Sequence, residues 1–374
     1  MTIIRSNITA GLRIEPDNAG NIVFITGTGN VAMRMEPSGL VNIATSRFVV
    51  PVGNTAQRPG SPVPGMLRFN NQSNAFESYT GSWVDVSKRN ISLEYLVIAG
   101  GGGGGGGRGG GGGAGGFRFG QGTYSSITSY VVTVGAGGSG ATAANSGIDG
   151  SVSSFSDISS AGGGGGGKGG PGSTQTGGNN GGSGGGASFN NKTGGLGNSP
   201  PVSPPQGNDG GSSPGIISTY DGAAGGGGAG EAGQSSSTSP LVQVGRGGNG
   251  ANSSISGTTV TYAGGGGGGG SNNNNTSGNG GTGGGGKGGI GTATSAISGN
   301  VNTGGGGGGG GYNTSTNISQ NGAAGGSGIV ILAHANTISN AIVSAGLTYT
   351  VNTASRPGFL VYSFTAGTGT VQWN

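Results

Sequence analysis

The stretch Leu93–Phe117, LEYLVIAGGGGGGGGRGGGGGAGGF, decides the fold. It opens as an apolar strand and passes without a loop into the unbroken glycines Gly100–Gly107. An isolated glycine run loses more backbone entropy on ordering than any other sequence and should stay disordered. One ordered state suits it. The left-handed extended helix with three residues per turn has no internal hydrogen bonds, so its N–H and C=O groups all point outward. Only glycine lets such backbones lie side by side at close range, and it keeps the N–H that proline lacks. A packed array of these helices pairs every buried backbone group without a side-chain core. At about 3.1 Å per residue, Gly100–Gly116 would be roughly 50 Å long.

Working outward, the glycine blocks recur in register with strands. Val132-Thr-Val134 leads into GAGGSG, and Val242-Gln-Val244 leads into GRGGNG. Each is followed by a Ser-Ser-apolar-Ser element, at Ser153–Ser156 and Ser253–Ser256, and then by Gly162–Gly167 or Gly264–Gly270. Such a repeat argues against random low complexity. Single cations interrupt or follow the runs at Arg108, Lys168 and Lys287, where a long side chain would leave the array at its surface. The apolar run Ile329–Ala333 emerges from the last block as Leu93–Ala99 enters the first.

The composition agrees. Of 374 residues 101 are Gly, with 30% hydrophobic and 7% charged; an average domain has about 45–50% apolar and about 25% charged residues. One large aliphatic core is therefore excluded. With Cys 0 and His 1, disulfide frameworks, thiolate sites and His clusters are excluded as well. The net charge of +4 is too weak for a basic nucleic-acid patch. No secretory h-region and no apolar run of about 20 residues is visible.

The first 98 residues have near-normal composition and read as short strands. LRIEP at Leu12–Pro16 and MRMEP at Met33–Pro37 alternate apolar and charged residues with a period of two, and NIVFIT at Asn21–Thr26 is a further strand. Such strands cannot bury a face alone, which favours sharing among three chains in a trimeric stalk. Residues 49–90 form a small module, with strands at Met66–Asn70 and Ala75–Tyr79 joined by a turn at Asn70–Asn74. Phe69, Phe76, Tyr79 and Trp83 are its expected core.

The module PVGNTAQRP (Pro51–Pro59), with Gly65, Leu67–Asn70 and the hairpin residues Phe76, Glu77, Tyr79, Gly81 and Trp83, resembles one common in bacteriophage tail-fibre and virion structural proteins. The run from Leu93 through the blocks to SGIVIL, closed by Gly346–Trp373, resembles the glycine-rich domain of phage tail fibres and adhesins. The resemblance implies extended Gly helices packed in layers, with the connectors between them as the binding tip. It also implies a homotrimer on the virion tail, joined to other tail or fibre proteins by its N-terminal region. The expected fold is thus all-β plus polyglycine II helices: an attachment region over 1–48, the module over 49–90 and a polyglycine-helix domain over 91–374 with a closing β segment.

No catalytic motif stands out. His334 sits inside the strand-like run IVILAHA, no two carboxylates share a motif, and Lys168 and Lys287 are each followed by Gly, so no phosphate-binding P-loop is formed. The two GRGG tetrads give too few phosphate contacts for RNA. Neither an enzyme nor a cofactor, metal site or nucleic-acid partner is expected. The rivals are a low-complexity structural polymer and a fibre-associated carbohydrate-cleaving enzyme. The connectors Ala187–Asp221, Ser271–Thr276 and Tyr312–Gln320 combine aromatics with Asn, Ser and Thr, a composition that suits a bacterial surface glycan or outer-membrane protein. Phe189, Asn190, Tyr220, Asp221, Asn273, Tyr312 and Asn313 are the candidate receptor-binding residues.

Overall fold

The computed structural model describes residues 22–25, 31–35, 41–43, 50–86, 90–143, 145–170, 174–190, 192–214, 222–237, 243–273 and 275–373. The chain divides into two compact units, Met1–Ser87 and Lys88–Asn374. The described residues contain strands and one turn of 3-10 helix but no α-helix.

In the first unit β1 (Ile22–Ile25), β2 (Val31–Met35) and β3 (Val41–Ile43) form an antiparallel sheet. The NIVFIT strand and the second of the two repeated segments lie there; Leu12–Pro16 falls outside the described residues. A second sheet has the order β4 (Val52–Gly53), β5 (Leu67–Asn70), β6 (Ala75–Tyr79) and β7 (Trp83–Asp85), with β4 parallel to β5 and the rest antiparallel. Here the expected aromatic core is corrected. Phe76 is 46% exposed and Phe69, Tyr79 and Trp83 are only half-buried, whereas Arg68, Asn70 and Glu77 are buried. Strand alternation puts these three polar side chains on one face. Glu77 gathers them: it accepts bonds from Arg58 Nη2 at 2.5 Å and Asn70 Nδ2 at 2.9 Å, and Arg68 Nε lies 3.9 Å away. The Arg58 bond holds the Glu77 carboxyl below the usual carboxylate range, against the opposing effect of burial. A few mutually bonded polar groups thus replace the oily centre that so small a unit would otherwise need.

The second unit is built on a barrel-like antiparallel sheet. In chain order its strands are β8 (Asn90–Ile98), β9 (Phe117–Ser125), β10 (Tyr130–Thr133), β11 (Ser153–Phe155) and β12 (Ile158–Ser160). Two hairpins follow, β13 (Ala251–Ser253) with β14 (Val260–Tyr262) and β15 (Tyr312–Asn313) with β16 (Ile318–Ser319). The chain then returns to the sheet as β17 (Ile329–Ala335), β18 (Ile342–Val343), β19 (Leu347–Asn352) and β20 (Phe359–Gln372). The order β12-β11-β10-β20-β17-β8-β9 nearly closes, since β12 lies against β8 and β9 and Arg118 Nη1 of β9 donates to Ser159 O of β12 at 3.3 Å.

The end of β8 (Leu96–Ile98) and nearly all of β17 read as continuous apolar runs because both faces are buried there. Leu93, Val97, Val330 and Leu332 point to the inner core with Phe155, Tyr362, Phe364 and Trp373. Leu96, Ile98, Ile329 and Ile331 point outward, where Ile255 and Tyr262 from the β13–β14 hairpin and its turn cover them. The two copies of the Ser-Ser-apolar-Ser repeat therefore serve opposite faces of one sheet, Phe155 inside and Ile255 outside.

The glycine runs leave this sheet and return to it. Along Gly100–Gly107 the bonding repeats every three residues. The N–H groups of Gly100, Gly103 and Gly106 donate to Ser151, Ile148 and Asn145; those of Gly101, Gly104 and Gly107 to Gly326, Ala323 and Gln320; those of Gly102 and Gly105 to Gly113 and Gly110, all at 2.8–3.0 Å. The carbonyls turn to three other segments: Gly100 and Gly103 accept from Gly163 and Gly166, Gly101 and Gly104 from Gly138 and Ala141, Gly102 and Gly105 from Gly307 and Gly310. Every residue in this run gives a donor to one neighbour, and Gly100–Gly105 give an acceptor to another, so backbone bonds stand where a side-chain core would. No side chain fits between. A Cβ on Gly100 would lie 2.0 Å from the Ala136 carbonyl oxygen, on Gly101 2.1 Å from that of Gly305, and on Gly102 2.3 Å from that of Gly164.

Candidate functional site

At the end of the array away from the barrel, the chain must turn from Gly107 to Gly109. Gly107 and Arg108 both adopt positive φ, 57° and 55°. This conformation is strained for an arginine, and packing holds it. The Arg108 guanidinium carbon lies 3.9 Å from the centroid of the Phe189 ring and 4.6 Å from that of Tyr312. Phe189, Tyr312 and Arg108 are 8%, 4% and 8% exposed. The cation expected to leave the array is instead clamped inside it, because two rings from distant connectors give a desolvated guanidinium its attraction to π faces. The two rings are correspondingly turned inward, not offered at the surface. Sequence alone hinted at this only through one aromatic at the same end of each of two glycine runs. Lys287, by contrast, is exposed and Lys168 half-buried.

Side chains link the connectors around this clamp. The Tyr312 hydroxyl donates to Asn317 Oδ1 at 2.6 Å, closing the β15–β16 hairpin. Asn272 Oδ1 accepts from the Thr314 N–H at 2.8 Å, and Thr314 Oγ1 stands 2.7 Å from Asn273 Oδ1. Asn313 Nδ2 donates to Thr292 Oγ1 at 3.0 Å, while its Oδ1 accepts the N–H groups of Ser315 and Thr316. Ser188 Oγ donates to Thr176 O at 2.9 Å, and Thr176 Oγ1 is 3.0 Å from Ser146 Oγ. Four of the candidate residues, Phe189, Asn273, Tyr312 and Asn313, are thereby tied into one end of the unit. Asn190 is exposed at φ 68° beside Phe189, and Asn273, Ser315, Thr316 and Asn317 are exposed as well. Tyr220 and Asp221 lie outside the described residues.

The long connector Ala187–Asp221 is not one loop. Gly195 and Ser199 donate to Gly185 and Gly181, and Gly210 donates to Gly195, so parts of it cross the array. Its proline segment Pro200–Pro205 thereby reaches the barrel side, where Gln206 O accepts from Phe117 N–H at 2.8 Å and Gln206 Oε1 from Ala161 N–H at 2.9 Å. The glycines at 194, 195, 210 and 211 were the missed signal for this crossing; a Cβ on Gly194 would meet the Gly210 carbonyl at 2.0 Å.

His334 is far from this chemistry. It is fully buried in the barrel, stacked on Tyr362 and edge-on to Trp373, with Nδ1 3.0 Å from Ala335 O. Burial pushes its pKa below the ordinary value. Among the described residues, no three His, Asp or Glu side chains converge on a possible metal position.

Compared with known proteins, residues 77–335 match a family described as a glycine-rich domain. No curated protein and no solved structure matches the chain.

Proposed function

Because the chain belongs to the glycine-rich domain family, with the tail-fibre-like module at Pro51–Trp83 running into the start of that match, we propose that it is a bacteriophage tail-fibre protein that adsorbs to the host surface. Its glycine segments are left-handed polyglycine helices, and three chains assemble into the working fibre. The three-residue rotation of bonding along Gly100–Gly107 supports the helical reading, since only a three-fold backbone sends successive N–H groups to three different neighbours. The N-terminal unit joins the fibre to the tail.

The observation that carries the adsorption reading is the cross-linked set of connectors around Arg108. Exposed Asn, Ser and Thr groups stand there on a support fixed by the Phe189–Arg108–Tyr312 clamp and the bonds of Asn272 and Asn313. A rigid polar face loses little entropy on binding, and its uncharged amides and hydroxyls suit neutral hydrogen-bonding surfaces such as bacterial glycans or the loops of outer-membrane proteins. The labelled chain should bind intact host cells and reduce adsorption of the particle that carries it. Ser315→Arg with Thr316→Arg, both exposed, should abolish both effects with little change in the melting temperature. Unchanged adsorption by that variant would place receptor contact elsewhere. Sedimentation of the purified chain should give the mass of three copies.

A further inference from the structure

A cleft of about 270 Å³ lies on the barrel side of the second unit, between the outer face of β8–β9 and the β13–β14 hairpin. One wall is Phe119, 64% exposed although its strand neighbour Phe117 is buried. The two rings meet edge to face with centroids 5.9 Å apart, which fixes the tilt of the exposed one. Beside it, Arg356 and Glu94 form a two-bond pair, Nη1 to Oε2 at 2.8 Å and Nη2 to Oε1 at 2.7 Å. The guanidinium also lies 3.8 Å over the Phe359 ring, so its plane is set from both sides. Across the cleft stand Asn252 and Ser254, both exposed. Asn252 Oδ1 accepts from Thr261 Oγ1 at 2.7 Å, which leaves its amide N–H groups directed away from that bond.

We infer that this cleft binds one sugar ring of a saccharide. The chemistry selects the class. Glu94 and Arg356 neutralise each other, so an ion gains little there. Their remaining lone pairs and N–H groups sit side by side, at the spacing that engages two adjacent hydroxyls. A single exposed ring gives an apolar platform too small for a lipid chain but matched to the C–H face of a pyranose. The volume lies just below the usual range for small-molecule pockets, about 300–1,000 Å³, which suits a single ring and not an extended ligand. The site belongs to none of the connectors around Arg108. It stands on its own geometry, so its failure and that of the adsorption reading are separate results.

Saturation-transfer NMR on the full chain tests it, with methyl glycosides of glucose, galactose, mannose and N-acetylglucosamine as probes. At least one should receive saturation, strongest at the C–H protons of one ring face. The signal should disappear in Phe119→Ala and persist in Phe119→Tyr. Because Phe119 is mostly exposed, the Ala variant should melt with the wild type; Glu94→Gln gives a second variant of unchanged shape that should also lose signal. No transfer to any of the four glycosides, or transfer undiminished in Phe119→Ala, would overturn the inference.

Discussion

Replacing Gly104 with alanine tests the close packing of the glycine segments. The new Cβ would stand 2.0 Å from the Gly308 carbonyl oxygen and 2.4 Å from its carbon. Real Cβ contacts stay beyond 3.0 Å, so one segment must retreat by about 1 Å, enough to take a bond of normal length out of range. Gly104 donates to Ala323 O at 2.9 Å and accepts from Ala141 N–H at 3.0 Å; Gly308 donates to Ile297 O at 3.0 Å and accepts from Ala323 N–H at 2.9 Å. Loss of either pair strands buried polar groups at about 1–3 kcal/mol each, or about 2–6 kcal/mol together. Alanine stiffens the unfolded chain and returns only about 0.4–1 kcal/mol. The net loss of about 1–6 kcal/mol is a sizeable share of the usual 5–15 kcal/mol. In an ordinary helix the same change would stabilise. Scanning calorimetry should show the melting temperature lowered by about 2 °C or more. Gly60→Ala is the control, since nothing lies within 4 Å of its Cβ position; its effect should stay within about 0.5 kcal/mol. If Gly104→Ala melts with the wild type, close backbone packing is not what holds the unit together.

Four further outcomes follow from individual residues. His334 has a lowered pKa in the folded barrel, so below its ordinary value of 6.5 the unfolded chain takes up the proton first; urea stability should fall as the pH drops below that value, and His334→Phe should flatten that slope. Glu77→Ala removes the shared acceptor of Asn70 and Arg58 and the carboxylate beside buried Arg68, and should destabilise the first unit by about 3 kcal/mol, visible as a lowered first transition in calorimetry. Arg108→Ala removes two cation–π contacts of a buried guanidinium, worth about 2 kcal/mol or more, and should speed amide exchange at Asn190 and Asn313 while leaving the barrel strands unchanged. Glu231→Gln breaks the pair with Arg246, whose side chains are 40% and 43% exposed; screening limits its effect to under about 1 kcal/mol in urea titrations.

Much of the second unit was legible because its signals were redundant. Leu93–Ala99 and Ile329–Ala333 flank the glycine blocks, and they pair with each other as β8 and β17. The Phe69–Phe76 hairpin followed from turn residues and alternation, and Phe69 does face Phe76 across it. Which face of that hairpin was buried could not be read, since the apolar residues mark one face while Arg68, Asn70 and Glu77 fill the other, and the Glu77–Arg58 pair that completes this polar face joins residues 19 apart in sequence. Arg108 misled for a related reason. A lone cation in a glycine run reads as an exit to solvent, and the rings that bury it arrive 81 and 204 residues later, at Phe189 and Tyr312. The saccharide cleft left no local pattern at all, because Glu94, Phe119, Asn252 and Arg356 come from four separate segments.

Amide hydrogen exchange at single-residue resolution across Gly100–Gly107 bears most directly on the lateral bonding of glycine backbones. Each N–H in this run has a partner in another segment, so the whole run should be protected, with no alternation between slow and fast positions and with rates close to those of β8. Exchange of these glycines at the rate of an unstructured chain, while β8 and β17 stay protected, would contradict the account.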